Sequence, residues 1–183
     1  MGDTVHGNKN VLSGEFPNAI INIDSIIQLP STSPPYVPPS WPAPNELPDP
    51  TSPPPSSRLL FQPNPLFTGR KTDLLEFAAL LRTEQSAPPP VVIATGIGGV
   101  GKTQLATEFA YRYGCFYAGG VQWVTLDGDE ATIESQIVDC GAAMGLYDAA
   151  DMTLTPEQKA ARVREAWRGP TPCLLYTSDA ADE

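Results

Sequence analysis

The stretch GIGGVGKTQLATEFAYRYG constrains the fold of this chain more than any other part of the sequence. Its opening residues, Gly96 to Thr103, fit the pattern G-x-x-x-x-G-K-[ST]. A short apolar run, Val91 to Ala94, precedes them and is typical of a strand buried on both faces of a parallel sheet. A helical apolar stripe follows, with a suitable stop at Gly114; it consists of Leu105, Ala106, Phe109, Ala110 and Tyr113.

The residue types in this glycine-rich turn suit the binding of phosphate. Consecutive backbone N–H groups must turn inward around phosphate oxygens, and side chains obstruct the backbone angles and close approaches that this requires. Lys102 would place a cation against the β- and γ-phosphates, and the Thr103 hydroxyl is a suitable ligand for Mg²⁺. The following helix directs its N-terminal dipole at the same place. The pattern therefore predicts a phosphate-binding loop made of Gly96, Ile97, Gly98, Gly99, Val100, Gly101, Lys102 and Thr103.

The segments on either side of this loop predict an α/β domain. Upstream, LFTGRKTDLLEFAALLRTEQ has helical spacing, and Thr72 or Asp73 is a candidate N-cap. Downstream, Val121 to Leu126 reads as a second strand. Helices are expected from Asp129 to Leu146 and again over TPEQKAARVREAW, before a final strand that begins at TPCLL. This order of strands and helices favours a parallel sheet.

Two helix starts carry local signals. Thr155 is placed as an N-cap, with Pro156 in the first turn and Gln158 completing a capping box. Asp127 and Asp129 follow the second predicted strand, at the end of an open sheet where ligands gather. Acidic turn and helix-cap residues are the commoner explanation for such a pair.

Composition restricts the partners and the surroundings of the chain. The net charge of −10 argues against non-specific binding to nucleic acid or to an anionic membrane. The sequence contains no charged, apolar signal segment and no apolar run of transmembrane length. Its cysteines, at wide and irregular spacing, form neither a disulfide framework nor a metal-site pattern. We expect a cytoplasmic protein with reduced thiols.

The part of the chain before the domain is divided by its proline content. Fourteen of the 21 prolines lie between Pro30 and Pro65, so residues 30–65 are expected to form a Pro-rich, disordered linker with polyproline II character. Tyr36 and Trp41 are unusual residues for a simple spacer. Residues 1–29 contain short β-prone clusters and are expected to be either a flexible leader or a self-association motif.

A resemblance to a known family adds to this reading. The loop and its helix, with FTGR upstream and GGVQWV downstream, resemble the NB-ARC-like STAND ATPases over residues 66–172. These proteins are signal-transduction switches that join a nucleotide-binding module to an effector and to C-terminal repeats. The resemblance implies a three-layer P-loop NTPase fold, ATP or ADP with Mg²⁺, and self-assembly or effector partners. It also implies that Phe67, Gly69 and Arg70 contact the adenine and ribose, and that Gln104 continues the loop pattern.

Two alternatives remain open at this point. Another P-loop ATPase, AAA-like or a transport-type motor, would contain the same loop. A homotypic interaction protein acting through residues 1–29 would belong to a different functional class. The chain lacks the Asn-Lys-x-Asp sequence that specifies GTP, which favours adenine over guanine.

The last eleven residues, CLLYTSDAADE, stand where the family places its Walker B strand, an apolar run ending in acids that hold Mg²⁺. No continuous apolar run leads into Asp179, so that role is not assigned to it. All eleven are what one obtains by translating a DNA sequence that resembles a transposase-type sequencing-library adapter. We therefore expect the native sequence to end near Pro172, a non-native tail over 173–183, and a parallel sheet truncated after about three strands. Nucleotide binding is expected from such a chain, whereas hydrolysis is not expected because the Walker B strand is missing.

Overall fold

The computed structural model describes residues 36–82, 92, 94, 99–126, 128–148 and 152–178, and the chain from Tyr36 onward is one compact unit. The described residues contain four α-helices and two β-strands. In chain order they are α1 (Lys71–Leu81), α2 (Lys102–Tyr113), β1 (Val121–Thr125), α3 (Glu130–Ala143), α4 (Pro156–Arg168) and β2 (Leu174–Ser178). A short 3-10 turn, Gly114–Phe116, follows α2. Of the predicted strand Val91–Ala94, only Val92 and Ala94 are described, so that strand stays a prediction.

The two strands form a parallel pair. Val121 lies opposite Leu174, and Thr125 lies opposite Ser178. A parallel pair needs a long crossover connection, and here α3 and α4 supply it. The two helices pack against each other, and α3 packs against β1. The domain is therefore mixed α/β with parallel pairing, as the order of elements predicts.

Two hydrophobic clusters fill the interior. The first, which we call the α1–α2 core, has Leu74, Leu105, Phe109 and Tyr113 at its centre. The second, which we call the α3–α4 core, consists of Val124, Ile137, Cys140, Tyr147, Ala160 and Val163. Each cluster is formed by two helices together with the elements packed beside them. An amphipathic helix can bury its apolar stripe only against another element.

Residues 36–65 depart from the predicted disordered linker. This segment, which we call the Pro-rich strap, packs on the outside of the α1–α2 core. The indole of Trp41 stacks on Phe116, with ring centroids 5.0 Å apart, and meets Tyr117 edge-on at 5.6 Å. The Tyr36 hydroxyl donates a hydrogen bond of 2.8 Å to the Cys115 carbonyl. The strap has few apolar side chains, but its aromatic residues Tyr36 and Trp41 pack against the domain. The average composition of the segment does not show these contacts.

Polar contacts also join the strap to α2. The Arg112 guanidinium donates to the Pro48 carbonyl at 2.6 Å and to the Glu108 carboxylate, also at 2.6 Å. The Glu108 side chain is only 4% exposed, so this ion pair is buried and depends on its partners. The Thr51 amide donates to the Tyr111 carbonyl at 2.7 Å. The strap thus satisfies polar groups that α2 presents away from the core.

The end of the strap covers the free edge of β1. The Arg58 amide donates to the Val121 carbonyl, and the Trp123 amide donates to the Arg58 carbonyl, at 2.8 and 3.0 Å. The Arg58 guanidinium also reaches the Trp123 carbonyl at 2.9 Å and the Asp139 carboxylate at 3.2 Å. An exposed strand edge is a template for unwanted pairing, and covering it removes that hazard. The expectation of disorder is therefore wrong for residues 36–65.

The start of α1 differs from its prediction. Arg70 is the N-cap residue, in a left-handed conformation and without a side-chain cap. Thr72 and Asp73 lie inside the first turn instead, so neither caps the helix as predicted. The Asp73 carboxylate instead accepts a hydrogen bond from the side chain of Arg70, three residues earlier.

The starts of α3 and α4 agree with their sequence signals. The Asp129 carboxylate accepts from the Thr132 hydroxyl at 2.7 Å and from the Thr132 amide at 2.9 Å, and the amide contact confirms the helix-cap explanation for this residue. The hydrogen bond from the hydroxyl, followed by that from the amide, holds the pKa of the Asp129 carboxyl below the usual value. Thr155 and Gln158 form the predicted capping box, with Pro156 as the first helical residue. Asp127 lies outside the described residues.

Strand β2 lies within the segment that the sequence predicts to be a non-native tail. Its residues, Leu174–Ser178, pair along the full length of β1. The pairing describes their conformation and does not bear on their origin, which stays a prediction. Asp179, Asp182 and Glu183 lie outside the described residues.

Candidate functional site

The first turn of α2 has the properties of an anion-binding helix start. Gly101 is its N-cap at φ 89° and ψ 27°, a left-handed conformation that glycine adopts without strain. No side chain caps the helix, and its first turn holds no acidic residue. The first N–H groups of a helix lack partners within the helix, and they carry the positive end of the dipole. This end of α2 is therefore suited to an anion.

Lys102, the first residue of α2, lies in the same place. Its side chain borders a cavity of about 330 Å³, and the residue is only 9% exposed. Lysine side chains are seldom buried to this extent. A cation in this place is suited to contact with a phosphate bound at the start of α2.

Arg70 brings a second cation to this helix start. Its Nη1 donates to the carbonyls of Val100 and Gly101, at 3.3 and 3.5 Å. Its Nε donates to the Asp73 carboxylate at 2.6 Å, which fixes the direction of the guanidinium. Thirty residues separate Arg70 from Val100 along the chain. The tertiary structure therefore joins the Gly-Arg element to the glycine-rich loop.

The backbone at Arg70 is itself unusual. Arg70 has φ 53° and follows Gly69 at φ 74°, and in the described part of the chain it is the non-glycine residue with positive φ. A left-handed conformation costs a residue with a side chain roughly 1–2 kcal/mol. A strained backbone conformation of this kind persists where contacts with the surrounding structure hold it in place. Such conformations are frequent at ligand sites. Here the conformation turns the guanidinium toward the loop.

The cavity combines charged and apolar walls. Arg70 and Lys102 contribute cations, and Asp73 and Glu76 contribute carboxylates. The remaining wall is mainly aliphatic and aromatic and belongs to α1, α2 and the chain before α2. Its volume lies at the lower end of the range for small-molecule pockets, about 300–1,000 Å³. An anionic ligand with an apolar part would match this lining.

The predicted site residues are only partly brought together. Gly96, Ile97 and Gly98 lie outside the described residues. Arg70, Val100 and Lys102 line the cavity, and Gly101 lies beside Arg70. Phe67 is partly buried against the α1–α2 core, and its predicted contact with a nucleoside stays a prediction. The other predicted residues, Gly69, Gly99, Thr103 and Gln104, lie in the turns and the helix start that frame the cavity.

Four lining residues of α1 were not predicted from the sequence: Asp73, Glu76, Phe77 and Leu80. Their signal was present, since they follow Arg70 at spacings of three and four residues and so share a helix face. The sequence pattern placed Phe77 on the apolar stripe of the helix and Asp73 as a candidate N-cap, and it gave Glu76 and Leu80 no role. Only the position of α1 over the start of α2 shows that part of that face borders a cavity.

The three cysteines take no part in this site. All of them are free thiols. Burial raises the pKa of the Cys140 and Cys173 thiols to about 11, so both are protonated at neutral pH. A protonated, buried thiol is a poor nucleophile and a poor metal ligand.

Comparison with known proteins gives one partial similarity and two negative results. No family model matches the chain, and no solved structure matches it. The regulatory protein AfsR of Streptomyces griseus is 31% identical over 107 residues. The aligned part is 57% of this chain and 11% of AfsR, so the chain spans about a tenth of that relative's length. The chain is therefore similar in part to a regulatory protein.

The helices give no sign of a membrane span. Among the described residues, none of them combines the length and the apolar character that crossing a bilayer requires.

Proposed function

We propose that this chain carries the ATP/ADP-binding switch module of a signal-transduction ATPase of the NB-ARC-like STAND class. The observation that supports the proposal most is a convergence at one cavity of about 330 Å³. The uncapped start of α2, the Lys102 ammonium and the Arg70 guanidinium all meet there. These are the features that phosphate recognition requires, namely free backbone N–H groups and directed cations.

Each residue has a distinct role in this proposal. The glycine-rich loop and the first turn of α2 surround the phosphates with N–H groups, and Lys102 neutralises their charge. Mg²⁺ would be held by the Thr103 hydroxyl together with phosphate oxygens and water, since this ion usually keeps several waters and takes few protein ligands. The Arg70 side chain closes the mouth of the loop, held by Asp73.

The regulatory part of the proposal rests on a different observation. The partial similarity to a regulatory protein favours a switch over a metabolic enzyme. Exchange of ADP for ATP would then change the assembly of a larger protein through self-association or effector partners. Adenine is favoured because the sequence lacks the Asn-Lys-x-Asp element that selects guanine.

The decisive experiment measures binding of Mg-ATP to the whole chain by isothermal titration calorimetry. Lys102→Ala removes a charge-assisted contact, and we expect affinity to fall roughly 10- to 100-fold. Arg162→Ala is the matched control, because it removes an exposed cation on α4, away from the cavity, and should leave affinity unchanged.

A second variant separates binding from folding. Thr103→Ala should weaken binding in the presence of Mg²⁺ and have a smaller effect when the metal is chelated. Circular dichroism and urea unfolding show whether each variant keeps the parent fold. If a folded Lys102→Ala protein binds Mg-ATP as tightly as the parent chain, the proposed function is wrong.

A further inference from the structure

Two neighbouring residues of the strap cover the first half of the outer edge of β1, the side that faces away from β2. The Arg58 amide and carbonyl pair with the Val121 carbonyl and the Trp123 amide. The Ser57 hydroxyl accepts from the Val121 amide at 3.0 Å, and the Arg58 guanidinium donates to the Trp123 carbonyl at 2.9 Å. The backbone polar groups of Val121 and Trp123 are therefore all satisfied by the dipeptide Ser57-Arg58.

The second half of this edge is covered by a side chain of α3 instead of by the strap. The Gln136 side-chain amide donates to the Thr125 carbonyl and accepts from the Thr125 amide, both at 2.9 Å. The pairing of the strap with β1 is thus a single parallel bridge, between Arg58 and Gln122. A segment held by so few backbone hydrogen bonds opens locally at a lower cost than the sheet itself.

The joint between the strap and β1 also contains buried polar atoms without hydrogen bonds. Ser56 Oγ, Gln122 Oε1 and Trp123 Nε1 are three of the five such side-chain atoms in the described part of the chain. Gln122 and Trp123 both contact the strap, through the Ser56 carbonyl and the Phe61 ring. Burial of a polar atom without a partner is unfavourable. Release of the strap returns this joint to water, which offsets part of the contacts that are lost.

The link between the strap and α1 is suited to act as a hinge. Residues 63–66 are all exposed, and Leu66 is 83% exposed. Asn64 accepts hydrogen bonds from the amides of Leu66 and Phe67, so this turn is held locally. From Arg58 to the start of α1 the chain can extend over about 40 Å, which suffices to reach a second copy.

The edge of β1 is fitted to the sequence of the strap itself. A Cβ on Gly120 would lie 2.6 Å from Ser56 Oγ and 2.9 Å from Ser57 Oγ, so glycine at this position allows the strap to approach. The Arg58 guanidinium lies 3.2 Å from the Asp139 carboxylate of α3, which gives the joint complementary charges. The occupant that fits this edge therefore has the sequence of the strap, and a second copy of the chain supplies one.

We propose that the strap exchanges between two copies of this chain: the strap of each copy occupies the β1 edge of the other, and residues 63–66 are the hinge. Every contact of the joint is remade between the copies, so concentration and the hinge decide between the closed monomer and the exchanged dimer. Reciprocal exchange uses the same two surfaces twice and closes as a two-fold dimer. This inference is independent of the proposed function, because the exchange does not require a nucleotide.

Charge reversal at the joint separates the monomer from the exchanged dimer. Arg58→Glu alone and Asp139→Arg alone each place like charges at the joint, both within a monomer and in a dimer of identical copies. When the two variants are mixed, only the exchanged heterodimer has opposite charges at both joints. We expect the mixture to associate roughly tenfold more tightly than either variant alone, as measured by size-exclusion chromatography with light scattering.

Two controls accompany this measurement. The double variant, Arg58→Glu with Asp139→Arg, has opposite charges within one copy and should be monomeric at concentrations at which the mixture is dimeric. Arg162→Glu reverses an exposed cation on α4, and its mixture with Asp139→Arg should show no gain. A folded mixture that keeps the mass of the monomer overturns the exchange. Dimers of each variant alone, without a gain on mixing, also overturn it, because uncovered β1 edges would then pair directly.

A second pair of variants does not depend on these charges and decides the question if the charge reversals fail to fold. Deletion of Pro63 and Asn64 shortens the hinge and should favour the dimer roughly tenfold, because a short hinge hinders the return of the strap to its own edge. Insertion of a short Gly-Ser segment after Asn64 should favour the monomer. Equal masses of the two folded hinge variants over the same range of concentrations would overturn the proposal.

Discussion

The helix starts on the two sides of the domain contrast with each other. The α3 and α4 helices begin with side-chain caps from Asp129 and Thr155. The α1 and α2 helices begin with left-handed residues, Arg70 and Gly101, and neither start has a side-chain cap. A cap satisfies the orphan amides of a helix, and its absence leaves them for another partner. The uncapped starts are also the pair that meets at the candidate site.

The two cores differ in a related way. The α3–α4 core is closed by residues of the crossover itself, including Tyr147, whose hydroxyl donates to the Val138 carbonyl at 2.7 Å. The α1–α2 core takes Trp41 and Leu47 from the Pro-rich strap as part of its cover. The α3–α4 core is therefore filled without residues of the strap, whereas the α1–α2 core depends on this segment, which is distant in sequence.

The largest effect that would test this contrast is expected at Trp41. Trp41→Ala removes an aromatic side chain that contacts three rings, and the free energy of unfolding should fall by about 2 kcal/mol, less than for a fully buried tryptophan. Urea unfolding measures the change. Val37→Ala, at a residue of the strap that is 80% exposed, should be neutral. Equal stability of the Trp41→Ala and parent chains would show that the strap is not part of the fold.

An intermediate effect is expected at Gly101. Gly101→Ala forces a side chain into a left-handed conformation, which should cost about 1–2 kcal/mol of stability and also weaken Mg-ATP binding. Gly145 after α3 is the matched control, because it has φ 71° and open space around it. Gly145→Ala should cost a similar amount of stability without changing binding. A loss of affinity in both variants would mean that general destabilisation, not the helix start, controls binding.

The smallest effect is expected at the capped side. Thr155→Ala removes the side-chain half of the α4 capping box and should lower the free energy of unfolding by about 1 kcal/mol. Nucleotide affinity should not change, since α4 lies outside the cavity wall. Thermal unfolding with and without Mg-ATP gives both values from one series. A changed affinity would show that the two sides of the domain are energetically coupled.

Local signals predicted much of the fold. The capping box of α4 was predicted correctly because every part of it lies within four residues, from Thr155 to Gln158. The α2 helix and strand β1 were found from their apolar residues. The helix ends directly before the predicted stop at Gly114, and the strand ends one residue before the predicted Leu126. The candidate loop was identified for the same reason, since its backbone requirements select particular residues at fixed spacing.

The strap was predicted incorrectly because long-range partners decide its conformation, whereas the start of α1 was predicted incorrectly because of a local ion pair. Residues 36–65 have a composition typical of a disordered spacer, yet Arg58 supplies backbone partners to β1 across more than sixty residues. The cap of α1 was assigned to Thr72 or Asp73 from propensity, but the Arg70 guanidinium takes the Asp73 carboxylate. Propensity describes a residue alone, and tertiary contacts override it.

By itself, the sequence determined the mixed α/β class and the parallel arrangement, because short-range periods and the order of elements specify these features. The phosphate-binding role of the glycine-rich loop with Lys102 and Thr103 stays a prediction from the sequence. The tertiary structure alone decided that Arg70 reaches Val100, that Glu76 and Leu80 border the same cavity as Lys102, and that the Pro-rich strap covers the edge of β1. The physical reason is that a cavity wall and a covered edge are made by segments far apart in the chain. Their composition does not show which surfaces will face each other once the helices have packed.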